Sequence, residues 1–222
     1  MIIAIDGPAG SGKSTVARQV AQRLHFRYIE TGSMYRAVAW KSLGLGIDLN
    51  DREKVSAVGR NLRLDFVPAP EGQILLVDGE NVTHLMKSEA VGRGAAIVAA
   101  YPEVRDVMTA KQREIGCSGD VVMDGRDIGT IVFPGAEKKF FLDADPEERG
   151  KRRYLELKDK NPDVVLAQIV EQVKQRDYED RNRAIAPLRP APDAIKLDTT
   201  RLRIEEVVDE VVREIGPTLK CD

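Results

Sequence analysis

The apolar positions of this chain fall into short runs and helical stripes that alternate. Met1 to Ile5 is a brief β-branched run that stops at Asp6-Gly7-Pro8, the form taken by a strand buried on both faces as it enters a loop. From Ser14 onward Val16, Ala17, Val20, Ala21 and Leu24 recur at helical spacing, which predicts an amphipathic helix. Further strands are expected at Arg27 to Ile29, Asp120 to Met123, Lys139 to Leu142 and Ala194 to Leu197, with helices over Met34 to Leu43 and Ile204 to Ile215. Strands alternating with helices imply a parallel α/β sheet.

One stretch departs from that alternation. Leu62, Leu64 and Phe66 alternate with polar residues, Pro68 to Gly72 turns the chain, Ile74 to Val77 is apolar, and Asp78-Gly79 turns it again. This pattern predicts a small antiparallel β insert. Glu147 to Lys160 mixes Arg149, Lys151, Arg152 and Arg153 with acids and reads as an exposed helical flap.

Composition narrows the class of ligand. With 34 Lys and Arg against 36 Asp and Glu over 222 residues, the formal charge is -2. No overall positive field exists to hold a nucleic acid, so any anion must be bound locally. Cys117 and Cys221 stand far apart and the two histidines are too few for a His-based metal site. No run approaches the ~20 apolar residues of a membrane span. The expectation is a reduced, cytoplasmic protein with no membrane partner.

Gly7-Pro8-Ala9-Gly10-Ser11-Gly12-Lys13-Ser14, followed by Thr15, fits GxxxxGK[ST] between an expected strand and an expected helix, the context of a P-loop. Its glycines let successive N–H groups face phosphate oxygens, and the helix that follows adds its positive end. Lys13 would reach the β and γ phosphates, and Ser14 would offer its hydroxyl to Mg²⁺. ATP is the expected donor.

The acceptor site must be sought elsewhere, among arginines suited to phosphate. Thr31 and Arg36 follow the second strand, while Arg126 and Asp127 sit in Asp124-Gly125-Arg126-Asp127-Ile128-Gly129 after the VVM strand. Both groups arrive at the carboxyl edge of a sheet, where α/β proteins bind ligands. Arg176, Asp180 and Arg183, at i, i+4 and i+7, would share one helix face above Ile169 and Val173. On spacing alone, these charges could equally be surface salt bridges.

Taken together, IDGPAGSGKST, ETGSMYRAVA, YPEVRDVMTAKQR, MDGRDIGTIVFPGA, FFLDADPEERGKRR and QRDYEDRNRAIAPLRPAPDAI resemble, in order and over nearly the whole chain, the bacterial cytidylate kinase family. The resemblance implies a P-loop NTPase fold: a parallel core (about 1–35, 106–146 and 162–222), a monophosphate-binding lobe (about 36–105) with its β insert (about 62–86), and a short helical lid (about 147–161). It implies transfer from ATP, with Mg²⁺, to CMP and dCMP by a monomer. Arg36, Arg126 and Arg183 would grip the acceptor phosphate, Arg176 and Asp180 the ribose, and Arg105 with Asp127 the cytosine, with Thr31 close by. Arg149, Arg152 and Arg153 would close over ATP. Ala96 departs from the family, which often has a base-contacting serine nine positions before the equivalent of Arg105. The alternatives are a kinase of another monophosphate such as UMP, against which the β insert and DGRDIG argue, and a non-catalytic nucleotide-binding regulator. A GTPase would need an NKxD motif, which is absent.

Overall fold

The structure, a computed structural model, describes residues 1–69, 72–159 and 161–219. In chain order its elements are β1 (Ile2–Asp6), α1 (Lys13–Leu24), β2 (Arg27–Glu30), α2 (Thr31–Gly44), α3 (Arg52–Asn61), β3 (Leu64–Ala69), β4 (Gly72–Val77), β5 (Glu80–Asn81), α4 (Glu89–Val98), α5 (Pro102–Gly116), β6 (Val121–Gly125), β7 (Lys138–Asp143), α6 (Pro146–Lys158), α7 (Leu166–Asn182), β8 (Ile195–Asp198) and α8 (Ile204–Leu219). A one-turn π-type segment, Ile128–Val132, follows β6. The chain divides into two compact units: Met1–Phe26 with Val122–Asp222, and Arg27–Val121.

In the first unit the strands lie in the order β6, β1, β7, β8. β1 pairs with β7 in parallel, with Ile5 opposite Phe140 and Asp6 opposite Phe141, and β7 pairs in parallel with β8. A parallel sheet is covered on both faces, so its strands are apolar throughout. Accordingly Ile3, Ala4, Ile5, Phe140 and Leu142 are sealed from solvent, as are Val16, Ala17 and Val20 of α1 and Val207, Val208, Val211 and Ile215 of α8. Each large apolar side chain so buried contributes about 1.5–3 kcal/mol. α1 packs on α8, and α6 on α7. That second contact is close: a Cβ on Gly150 would lie 2.4 Å from Val170 Cγ2.

The second unit gathers Met34, Val38, Val55, Leu62, Leu75, Val77, Val82, Val91, Val98 and Met108 into one core. β3, β4 and β5 form the antiparallel sheet, and Asp78 and Gly79 take the positive φ values (52° and 88°) that a tight hairpin demands. Of the turn expected over Pro68 to Gly72, Pro70 and Glu71 lie outside the described residues, as do Lys160 in the flap and Cys221. Leu62 is not part of the strand. It caps α3, and its side chain is buried in the core. Three helices were not expected. α3 starts where the Asp51 carboxylate accepts from Lys54 N at 3.1 Å, α4 where Ser88 Oγ accepts from Val91 N at 3.4 Å, and α5 at Pro102. These are ordinary helix-start chemistries.

Candidate functional site

The phosphate loop opens where β1 ends. Gly7 runs against β7 so closely that a Cβ would lie 2.1 Å from the Leu142 carbonyl oxygen, and no other residue fits. Gly10 and Gly12 have φ of 76° and 85°, a left-handed backbone that turns loop N–H groups inward ahead of α1. α1 starts at Lys13, one residue earlier than its apolar stripe marks. Lys13 is buried and donates from Nζ to the Pro8 carbonyl at 3.1 Å. That contact folds the ammonium back along the loop. Ser11 Oγ is buried without a hydrogen-bond partner.

Ser14 Oγ donates to Asp124 Oδ2 at 2.6 Å, which brings the first turn of α1 to the end of β6. A hydroxyl and a carboxylate side by side are the hard oxygen donors that Mg²⁺ accepts, and Mg²⁺ completes its shell with water and substrate phosphates. The pair therefore fits that ion. Among the described residues no group of three or more His, Cys, Asp and Glu could hold a metal by itself.

Arg149 departs from its expected place on an exposed flap. Its side chain is 1% exposed, although α6 does form over the expected stretch. Nε donates to the Ala144 carbonyl at 2.8 Å, Nη1 donates to the Ala9 carbonyl at 3.0 Å and to Asp177 Oδ1 at 2.9 Å, and Nη2 donates to Asp177 Oδ2. One guanidinium thus joins α6, α7 and the phosphate loop. Arg152 donates to the Thr199 carbonyl at 2.7 Å, and Thr199 Oγ1 donates to the Ser11 carbonyl at 3.0 Å. Arg153 points outward and pairs with Glu156 at 2.8 Å.

Arg126, Asp180 and Arg183 come together in the same unit. Arg126 Nε donates to Asp180 Oδ2 at 2.9 Å, and Arg183 Nη1 lies 3.6 Å from Asp180 Oδ1. Burial alone would raise the Asp180 pKa, but the guanidiniums of Arg126, Arg183 and Arg176 outweigh it and hold the carboxyl below its usual range. The three-residue face expected on one helix is corrected in detail. α7 ends at Asn182, and Arg183 is its extended C-cap, with Nε donating to the Ala186 carbonyl at 2.6 Å. Release from the helix lets Arg183 turn back toward Asp180. Arg176 is exposed, and Ile169 and Val173 lie buried below it as the stripe predicts.

Asp127 is buried at the start of the π-type turn and makes no side-chain capping bond to it. The turn is capped from a distance: Asp6 Oδ1 accepts from Ile128 N at 2.9 Å and Oδ2 from Gly129 N at 2.7 Å. Burial pushes the Asp6 pKa up to about 7 despite these two bonds and the nearby Arg126.

The second unit carries Thr31, Arg36 and Arg105. Thr31 is buried at the first position of α2. Arg36 Nη1 donates to the Met86 carbonyl at 3.3 Å. Arg105 is buried, donates from Nη1 to the Ala99 carbonyl at 3.2 Å, and stacks over Tyr35 with 5.5 Å to the ring centroid. Ala96 is exposed on α4.

Sequence reasoning gave no role to Asp6, Asp124, Asp177 or Thr199. Asp177 was open to discovery, because it continues the buried Ile169, Val173 stripe at i+4, where a carboxylate demands a cation. Asp124 and Asp6 share a simpler signal, each being an acid at the carboxyl end of a central apolar strand. Thr199 has no such signal.

The arrangement has close relatives. The family model described as Cytidylate kinase matches residues 3–216. A cytidylate kinase of Geobacillus kaustophilus is 47% identical over 214 residues, covering 96% of each chain. One of Desulfitobacterium hafniense is 47% identical over 210 residues, 95% of this chain and 90% of that one. Among solved structures, shikimate kinase from Bacteroides thetaiotaomicron superposes with a TM-score of 0.51 at 12% identity, over 97% of this chain and 98% of that one, a likeness of fold alone. No helix of the described residues is long and apolar enough to cross a membrane. A phosphate loop with its lysine, a carboxylate on the loop serine and a second cluster of phosphate-type arginines thus lie in a chain matched almost end to end, and the chain belongs to the cytidylate kinase family.

Proposed function

We propose that this chain moves the γ-phosphoryl group of ATP to the phosphate of CMP, and of dCMP, acting as a monomer in the cytoplasm. The observation that carries the reading is the Arg126, Asp180 and Arg183 cluster, in the same unit as the phosphate loop. A protein that only bound ATP would need the loop and not the second anion site.

In this reading the loop N–H groups and Lys13 hold the donor phosphates, and Lys13 leaves the Pro8 carbonyl to meet the charge that spreads over the γ-phosphoryl oxygens. Ser14 and Asp124 hold Mg²⁺, which when bound offsets phosphate charge. Arg126 and Arg183, with Arg36, position the acceptor phosphate. Its oxygen forms the new P–O bond as the bond to the β–γ bridging oxygen breaks and ADP leaves. That oxygen is already anionic, so no general base is required. Arg176 and Asp180 bind the ribose. Arg153 and Arg152 would turn from Glu156 and the Thr199 carbonyl toward ATP, while Arg149 serves ATP through the loop, by the Ala9 carbonyl.

Arg105 and Asp127 read the base. Cytosine donates from N4 and accepts at N3 and O2, so it suits a carboxylate and a guanidinium, whereas uracil presents an oxygen to the carboxylate. The test is kcat/KM for CMP, UMP and AMP with ATP and Mg²⁺, in wild type and Asp127→Ala. CMP should lead in wild type, and the variant should lose CMP activity and narrow the CMP to UMP ratio. Turnover with no monophosphate would refute the kinase reading, and an unchanged ratio the assignment of Asp127.

A further inference from the structure

We propose that Asp6 is a positioning residue for the acceptor nucleotide: from the last position of β1 its carboxyl group fixes the Ile128–Val132 turn, and with it Arg126 and Asp127 immediately before that turn. The inference rests on the kinase reading above and assigns a role to a residue outside its binding set.

The first N–H groups of any helical turn lack partners within the turn, and a capping side chain normally supplies one. Asp127 holds the capping position here and does not use its side chain for that purpose. Asp6 supplies both bonds instead, one oxygen to Ile128 N and the other to Gly129 N, across 122 positions of sequence. A carboxyl group that is 3% exposed and aimed at two adjacent backbone donors has one geometric consequence. It fixes the direction in which the chain leaves Asp127 without calling on the Asp127 side chain as the cap.

The fit is tight on the far side too. A Cβ on Gly129 would stand 3.4 Å from Asp6 Oδ2 and 3.2 Å from Lys139 Cδ, so the turn lies between side chains of β1 and β7. The next residue after Asp6 is Gly7 of the phosphate loop, itself pressed on the Leu142 carbonyl. One side chain therefore joins the strand that launches the donor loop to the turn that directly follows Arg126 and Asp127. Its oxygens point at the turn and not at the loop, so its loss should be felt on the acceptor side.

Asp6→Asn keeps the shape and sets an amide NH₂ against one of the two N–H donors. The assay measures KM for CMP, the CMP to UMP ratio of kcat/KM, and Kd for the non-hydrolysable ATP analogue AMPPNP. The expected result is a ~10-fold or greater rise in KM for CMP with a narrowed base ratio, the scale of one lost buried hydrogen bond, while AMPPNP affinity stays within ~2-fold. An unchanged KM and ratio, or an equal loss for AMPPNP, overturns the proposal. Absence of CMP turnover in wild type would instead be a failure of the kinase reading. Where Asp6→Asn does not fold, Gly129→Val, whose Cβ already stands 3.2 Å from Lys139 Cδ and 3.4 Å from Asp6 Oδ2 before its two methyl groups are added, presses the turn away and leaves the Asp6 residue unchanged; it carries the same expectation and the same refutation.

Discussion

Removing the Arg149 guanidinium should unfold much of what joins α6, α7 and the phosphate loop. The side chain is 1% exposed and its partner Asp177 is 8% exposed, so Arg149→Ala leaves a buried carboxylate without its cation, a loss of about 3–5 kcal/mol. The Ala9 and Ala144 carbonyls also lose donors, but the space vacated admits water, so about 4 kcal/mol is the expected total rather than a sum of all bonds. That is a large share of the 5–15 kcal/mol typical of a domain. Urea unfolding followed by circular dichroism measures it. Arg149→Met combined with Asp177→Leu should recover most of the stability, because a hydrophobic pair of similar volume avoids desolvating two charges. The recovered protein should still show a raised KM for ATP, since nothing then donates to Ala9. If Arg149→Ala costs less than about 1 kcal/mol and only kcat falls, the guanidinium acts on ATP directly and the clamp reading is wrong.

Lys13→Ala should keep its fold and lose nearly all transfer, because the interaction is made with charge that develops in the transition state; near-normal kcat would exclude the loop as the donor site. Asp6 gives a pH dependence of stability. Its folded pKa, about 7, is raised from 3.8, so its contribution is full below about pH 4 and falls as pH rises to 7, by about 1.4 kcal/mol per unit. The unfolding free energy of wild type minus that of Asp6→Asn should therefore drop by about 2 kcal/mol between pH 5 and 7 and level off above; parallel profiles would mean that Asp6 does not titrate in that range.

What the sequence disclosed follows from where local pattern and tertiary demand agree. β1, β6 and the Phe140 to Leu142 part of β7 are short apolar runs because a covered parallel sheet requires them, β8 at the edge alternates apolar with charged residues, and α1 and α8 show their inward stripes openly. α4 is the opposite case. Gly92 and Gly94 depress its helix propensity, yet a Cβ on Gly94 would stand 2.8 Å from Leu49 Cδ1 and 3.0 Å from Ala39 Cβ. The glycine that hides the helix from local reasoning is the one that lets it approach α2. The loop motif declared itself in eight residues, Asp180 and Arg183 were recognisable with Arg176 as charges on one helix stripe, and Arg126 as an arginine in the turn after the VVM strand. That Asp180 would hold both arginines, and that Arg183 would cap α7 and turn back, depends on where α7 stops. Asp6 stayed unread because an acid at a strand end looks like the start of a turn until the residue it serves, 122 positions away, is brought beside it.

The uneven burial of α6 gives that helix the mechanics of a cantilever. Its root is fastened by Arg149 on Asp177, by Gly150 under Val170 and by Arg152 on the Thr199 carbonyl. Beyond Arg152 the hold is looser: Tyr154 and Leu157 are half-buried, Leu155 is 54% exposed, and Arg153 pairs with Glu156 of its own helix. The load of such a beam is carried at its fixed end, so the inner turns brace the loop and the outer ones bear little of that task. A change at the root reaches the phosphate loop through the Arg149 bond to the Ala9 carbonyl, and a change along the arm alters the charge its outer half presents to an approaching anion. Amino-acid drift can therefore accumulate over Arg153 to Lys158 at little cost to the fold, which leaves the outer half open to retuning of its charge while the root remains constrained.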